Sequence, residues 1–494
     1  MKFSFLIKRY HSISVYNKIN FIALFIFIIT AIFSIGFYGA DEHYQILEFA
    51  QYKLGNIPAK ALPWEYDSQM RPTLQPWIVI FLVKIFNFFN ILNPFAIAMI
   101  FRLISALLLW WVTLRMNSLL VKQYFLKEKW AVLFSCSTFF LWFIPFLSVR
   151  FSSENYSAAF LLLGLCYILK NQFSLKDSIL TGVFFGLSIL FKAQIGIVIL
   201  GIFSWVVFVK RIYIRKLIPM FFTLFVISFL GTFLDFLFYE NIVFTPYNFI
   251  KGNLVGGRSN DFGTSPFYYY LKIFLMAAIP PISIVLPLFF LFGLRKLKKS
   301  VFVWILIPYI LVHFIIPHKE VRFMLPVYYL IIFVTIYGLS KYFENREIKP
   351  YQNKIFKVTV VLNFVVMTYM IIKPANGTVL YAKYLYDHIN EGNRTIVTTE
   401  KDYYTIMGDL QTTFYTPKNV KSYCVDSEKE LLNFLKSEQI QSCFYVHRRF
   451  KFSDSIPGYV VKRVYSLYPD FIEDLKFVNS SKIKTDCIYS IKKL

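Results

Sequence analysis

The feature that most constrains this chain is its series of apolar runs, many long enough to cross a lipid bilayer. A segment in hydrocarbon must satisfy its own backbone N–H and C=O groups, so an apolar run of roughly 18–20 residues folds as a spanning helix. The first run, 21–38, carries no charged residue and follows Lys2, Lys8, Arg9 and Lys18. A cleaved signal peptide is the competing reading. The run is long for a signal core and many spans follow it, so a retained anchor with a cytoplasmic start is expected.

Further runs fall at 95–114, 130–148, 156–170, 178–191, 194–209, 217–238, 267–292, 301–316, 322–339 and 356–373. Alternating sides from the first run puts most loop cations in the cytoplasm: Lys122, Lys127 and Lys129; Lys170 and Lys176; Lys210, Arg211, Arg215 and Lys216; Arg295, Lys296, Lys298 and Lys299; Lys341, Arg346, Lys349 and Lys354. Loops on the other side are poor in Lys and Arg, as membrane topology requires. The alternation holds only if the apolar stretch 77–92, short and carrying Lys84, does not cross. It is expected as a re-entrant or interfacial helix in the outer leaflet. Eleven spans result, the last ending outside.

Composition agrees. The chain is 57% hydrophobic and 16% charged, against roughly 45–50% and 25% in a soluble domain. A net charge of +25 would suggest nucleic acid in a soluble protein. Here the cations sit in loops between spans, so no nucleic-acid partner is implied. Five cysteines without a CxxC pair signal no zinc or redox framework.

The expected domains are therefore a transmembrane domain over 1–373, whose first extracytoplasmic loop, 39–94, carries interfacial helices, and a second domain over 374–494. No run in the latter is long enough to span. Ser427 and Glu430 stand at capping-box spacing before Leu431, Leu432, Phe434 and Leu435, just after Asp426. Strand-like runs at 395–399, 443–446 and 459–464 surround that helix. A small α/β domain outside the membrane is expected. Cys424 and Cys443 could pair there in an oxidising compartment.

Four places on the outer side concentrate polar groups. Asp41 and Glu42 follow the first span, and in an α-helix Asp41, Gln45 and Glu48 share one face. Adjacent acids at a span's end are costly to desolvate unless used or paired; the alternative is a solvated helix start whose acids favour the dipole. Trp64-Glu65-Tyr66 and Arg71 follow; interfacial anchoring explains the aromatics but not Glu65 and Arg71. Arg150 and Glu154 flank a third loop, where a structural ion pair is the alternative. The densest is Pro317-His318-Lys319-Glu320-Val321-Arg322-Phe323. His318 and Glu320 could bind a metal, but Lys319 and Arg322 would repel a cation, and an anionic phosphate is the better ligand. Acids for proton abstraction and bases for a phosphate, facing outside, suit a lipid-phosphate donor delivered through the membrane.

These residues resemble glycosyltransferase family 22, which has the GT-C membrane fold and includes the mannosyltransferases of GPI-anchor and N-glycan assembly. Asp41, Glu42 and Glu48 match the family's first loop, and Trp64, Glu65, Tyr66 and Arg71 its Trp-Glu-Tyr/Trp…Arg segment. His318, Lys319, Glu320, Arg322, Phe323 and Pro326 match its most specific signature. Between them, Asp235…Phe238-Tyr239…Thr245-Pro246-Tyr247-Asn248-Phe249…Asn253 and Phe262-Gly263-Thr264-Ser265-Pro266 are similar to further family segments. The family's Arg-Ser-Tyr-x-x-Pro is here Arg71-Pro72-Thr73-Leu74-Gln75-Pro76.

The resemblance implies inverting transfer of a sugar, mannose-like, from a polyprenyl- or dolichyl-phosphate donor to a glycan or glycolipid acceptor. Membrane lipids surround the groove for the donor tail, and neither cofactor nor metal is implied. Asp41 is then the general base with Glu42 beside it. His318, Lys319, Arg322 and Arg150 stabilise the leaving phosphate. Glu48, Glu65, Arg71, Glu154 and Glu320 orient substrate or hold the cations. The style of the sequence is bacterial, which places the protein in the cytoplasmic (inner) membrane with its site outside; the eukaryotic counterpart is the endoplasmic reticulum membrane. The alternative function, a transporter or flippase of lipid-linked sugars, calls for midplane ionisable groups and internal repeats, whereas the charges here lie at one face.

Overall fold

The computed structural model describes residues 2–276, 282–345, 352–389, 395–398, 405–407, 410–416, 420–425, 427–447, 456–467 and 487–494. Arg346, Lys349, Thr399 and Asp426, each named in the sequence reading, lie outside the described residues. The chain forms two compact units. One gathers Met1–Ser34, Trp64–Ile78 and Met99–Lys373; the other gathers Ile35–Pro63, Val79–Ala98 and Pro374–Leu494.

Among the described residues, each expected run contains helix. Among the described residues six are long and apolar enough to cross a membrane: Val15–Phe33, Pro94–Tyr124, Ala193–Lys210, Ile214–Tyr239, Val321–Tyr342 and Lys354–Ile389. The stretch expected to lie in the interface forms Leu74–Phe88. Its 15 residues rise only about 22 Å, less than the roughly 30 Å hydrocarbon core.

One expected span is broken. The 130–148 run forms Glu128–Phe140 and Ile144–Ser148, with Leu141 extended between them. The freed backbone groups find a partner on Lys354–Ile372: Asn363 Nδ2 donates to the Phe140 carbonyl (2.7 Å) and its Oδ1 accepts from the Trp142 amide (3.0 Å). Irregular backbone in such a chain persists only where another element satisfies it.

Helix contacts in the first unit rely on small residues, because lipid gives apolar faces little reason to associate. A Cβ on Gly201 would collide with the Trp304 carbonyl, and one on Gly338 with the Phe289 carbonyl. The phenylalanine-rich composition fills the interior: Phe125, Phe134, Phe302 and Phe333 are all buried, with Phe302 and Phe333 ring centroids 4.6 Å apart. Polar side chains cross-link helices as well. Asn117 donates to Thr138 Oγ1 (2.8 Å) and accepts from the Tyr329 hydroxyl (2.7 Å). Loop cations cap helix ends: Lys210 donates to the Ile168 and Lys170 carbonyls.

Among the described residues the second unit has seven strands: β1 Thr395–Thr398, β2 Thr405–Met407, β3 Leu410–Gln411, β4 Lys421–Cys424, β5 Ser442–His447, β6 Tyr459–Ser466 and β7 Cys487–Lys493. Five build one sheet in the order β4-β1-β5-β7-β6, while β2 and β3 form a separate pair. β1 runs parallel to β4 and β5; β7 is antiparallel to β5 and β6. The parallel crossover from β4 to β5 is Glu428–Ser437, capped as expected by Ser427, whose hydroxyl accepts from the Glu430 amide at 3.3 Å. Leu431 and Leu435 bury its apolar face with Val397, Cys443, Tyr445 and Ile491. Cys424 and Cys443 are not joined in a disulfide. They stand on β4 and β5, which flank β1, and two strand spacings of about 4.8 Å each exceed the roughly 7 Å Cα limit for a disulfide.

Candidate active site

The two units each present candidate residues. In the second unit, Asp41 and Glu42 lie on the four-residue helix Ala40–His43. Glu42 folds back so that its Oε2 accepts from the Tyr38 amide at 3.0 Å. The following turn, Tyr44–Glu48, is π-helical, and it overturns the expected face shared by Asp41, Gln45 and Glu48. In an α-helix His43 and Glu48 would stand about 140° apart. The i→i+5 turn aligns them instead, and His43 Nε2 meets Glu48 Oε1 at 2.7 Å. Glu48 is turned inward and only 1% exposed. The same oxygen accepts from the Phe414 amide at 3.0 Å.

In the first unit, a loop network gathers Glu65, Arg71, His318, Lys319, Glu320 and Arg322. Its base is Asp235, near the end of Ile214–Tyr239. Asp235 Oδ1 accepts from the Thr73 amide (2.8 Å) and hydroxyl (2.7 Å), and Oδ2 from the Thr245 hydroxyl (2.9 Å). Tyr239 donates to the Arg71 carbonyl (2.8 Å), and Trp77 Nε1 to the Leu234 carbonyl (3.1 Å). The segment is thus stapled to that helix, and on it Arg71 Nη2 reaches Glu65 Oε1 at 3.3 Å. Trp64 stacks on Phe262 (5.9 Å between centroids) with the Arg258 guanidinium over its ring (5.2 Å). Phe262 meets His318 edge-on at 6.3 Å.

Glu320 is the hub of the densest motif. Arg322 binds its carboxylate with two nitrogens, Nε (2.6 Å) and Nη2 (2.7 Å), and His318 Nε2 approaches at 3.0 Å. His318 Nδ1 faces the Gly263 carbonyl at 2.8 Å. Both ring nitrogens therefore face oxygens. Lys319 is buried and donates to the Ile316 (2.5 Å) and Ser265 (3.2 Å) carbonyls. Burial pushes its ammonium below the ordinary lysine range. Lys319 and the Ser265 amide, which donates to the Pro317 carbonyl (3.0 Å), lock the 263–266 loop to this motif.

Arg150 and Glu154 sit in the same unit. Arg150 is buried beside the end of the first helix, donating to the Ser34 (3.0 Å) and Phe146 (3.2 Å) carbonyls. Glu154 binds Lys192 at 2.7 Å, and both are buried. The motif packs on this region through Tyr309, whose hydroxyl donates to the Phe323 carbonyl at 2.7 Å.

Residue-by-residue reading missed Lys192, Thr73 and His43 as partners. Lys192 did carry a signal: it is an isolated cation in a loop expected on the side poor in Lys and Arg. Asp235 entered only through the family segment, although an acid inside an apolar run is itself a signal.

The chain matches the family model of Alg9-like mannosyltransferases over residues 19–420, from the first span through both candidate loops into the second unit. It belongs to the Alg9-like mannosyltransferase family. This family member is 27% identical to GPI mannosyltransferase 3 of Candida albicans over 74% of this chain and 71% of the relative. It is 22% identical to GPI mannosyltransferase 3 of Debaryomyces hansenii, over 74% of this chain and 67% of that protein. Its fold is similar to the crystal structure of ArnT from Cupriavidus metallidurans bound to undecaprenyl phosphate, with a TM-score of 0.54, 12% identity, and coverage of 95% and 96% of the two chains. This Alg9-like protein is accordingly a multi-pass membrane glycosyltransferase of the GT-C fold with a small C-terminal sheet, and transfer rather than transport is its function.

Proposed function

We propose that the enzyme transfers a mannose-like sugar, with inversion, from a polyprenyl- or dolichyl-phosphate donor to a glycan or glycolipid acceptor at the extracytoplasmic face. The observation that carries this reading is the His318–Arg322 motif, where His318 and Arg322 are organised around the Glu320 carboxylate and the adjacent Lys319 is held by the Ser265 and Ile316 carbonyls, in a protein of this family. Cations held in place before reaction stabilise a phosphate that gains charge as its bond to the sugar breaks. His318, Lys319 and Arg322, with Arg150, serve the donor phosphate in this reading. Asp41 is the base that takes the acceptor proton, with Glu42 beside it. Glu65, Arg71, Glu154 and Glu320 orient the sugar or hold the cations. In this reading the motif loops face outside, as the alternation of loop charge supports, at the outer face of a bacterial cytoplasmic membrane or the topologically equivalent lumenal face of the endoplasmic reticulum.

Purified protein given radiolabelled dolichyl- or undecaprenyl-phosphate mannose and a panel of glycolipid acceptors should form a labelled product. Asp41→Asn should abolish transfer while the protein still inserts, and near-normal turnover would remove Asp41 as the base. Lys319→Ala should raise the donor KM, and unchanged donor kinetics would sink the phosphate assignment.

A further inference from the structure

We infer that Glu48 and His43 are positioning residues. With the Phe414 amide they clasp the helix bearing Asp41 and Glu42 to the Thr413–Tyr415 turn of the C-terminal segment. The inference rests on the reading of that helix as the place of chemistry, and it gives the C-terminal segment a task in the reaction.

The helix needs such a clasp. Ala40–His43 has four residues, and Gly39 offers it no side-chain cap. It is the first turn of a helical run that continues through Tyr44–Glu48 to Lys53, and a first turn, whose amides lack intrahelical partners, frays unless something ties it down. Three contacts hold it here. Glu48 Oε1 takes both the His43 ring nitrogen (2.7 Å) and the Phe414 amide (3.0 Å). The His43 ring is stacked between Phe37 (4.8 Å) and Tyr415 (5.5 Å), and Tyr415 stacks in turn on Phe95 (4.9 Å). The Ala375 amide donates to the Ile35 carbonyl at 2.8 Å, tying the start of the segment to the same stretch. His43, Glu48, Phe37, Phe95 and Tyr415 are all buried.

Glu48 is turned away from solvent, at 1% exposure. One oxygen is committed twice, and the other is buried without a hydrogen-bond partner among the described residues. A carboxylate in this setting acts through what it holds. Releasing it would leave the backbone of 40–43 free to tilt, and displacement of a reacting group by about 1 Å costs roughly 100-fold in rate.

The test uses three variants of the full chain, assayed with dolichyl- or undecaprenyl-phosphate mannose. Glu48→Gln keeps an acceptor for the Phe414 amide; Glu48→Leu removes it; His43→Phe keeps the ring stack and removes the donor to Glu48. Glu48→Leu and His43→Phe should lose about 100-fold in kcat with donor and acceptor KM essentially unchanged, while Glu48→Gln should recover most of the turnover. Hydrogen exchange in peptides covering 40–48 and 412–416 should accelerate in Glu48→Leu and stay slow in Glu48→Gln. A Glu48→Gln enzyme as inactive as Glu48→Leu, or a KM that rises with Glu48→Leu, would mean direct substrate contact and overturn the proposal. So would wild-type turnover or unchanged exchange in Glu48→Leu. Should that variant fail to insert, His43→Phe carries the same test. Asp41→Asn measured in parallel separates the two claims: turnover in Asp41→Asn with exchange behaving as expected discards the base and leaves the clasp.

Discussion

Replacing Lys192 by Met removes a cation from a buried carboxylate. Glu154 is 2% exposed and its Oε1 accepts from Lys192 Nζ at 2.7 Å. The charge-assisted bond alone contributes about 1.5–3 kcal/mol. Removing one partner of a buried pair brings the expected loss to about 3–5 kcal/mol. Met matches the lysine stem in length, so little packing is lost. The double variant Lys192→Met/Glu154→Gln removes both charges and should recover most of the stability, since a buried pair replaced as a unit is close to neutral. The measurement is the unfolding free energy from SDS titration in mixed micelles, for the two single variants and the double. A Lys192→Met loss below about 0.5 kcal/mol, the size of an ordinary surface change, would refute the reasoning, as would a double variant no better than the worse single one. Transfer assays on the double variant then separate roles: stable and active means a structural pair, stable and inactive means that Glu154 orients substrate.

Asp235→Leu leaves the Thr73 amide and the Thr73 and Thr245 hydroxyls without their acceptor, and should cost about 2–4 kcal/mol by the same titration. Asp235→Asn, which keeps one acceptor oxygen, should cost clearly less; equal losses would disprove the staple. Glu320→Gln breaks the two-nitrogen grip on Arg322 and should raise the donor KM about tenfold, equivalent to ~1.4 kcal/mol. Initial-rate kinetics with a fixed acceptor would check this, and an unchanged KM would deny Glu320 its role as hub.

Most of the membrane architecture was legible because apolar run length is a local property. A helix in lipid needs no partner to satisfy its backbone, so runs such as 95–114 and 217–238 fell within Pro94–Tyr124 and Ile214–Tyr239. The break at Leu141 was not legible, since it depends on Asn363 from another helix. In the C-terminal part the Ser427 cap and the strands β1, β5 and β6 were readable from short-range pattern. The strands β4 and β7 were not, because their assignment comes from pairing with distant partners.

By itself the sequence determined the class of molecule, its family and the loops that carry its polar residues. Those properties depend on composition and spacing within a turn or a span. Tertiary structure alone decided what these residues hold. Asp235 grips Thr73 across 162 positions, Lys192 grips Glu154 across 38, and the Phe414 amide reaches Glu48 across 366. It also decided the π turn that swings Glu48 away from the face expected of an α-helix and onto His43. The physical reason is the same in each case. A buried polar atom must find a partner, and periodicity along the chain does not tell which distant atom will meet it.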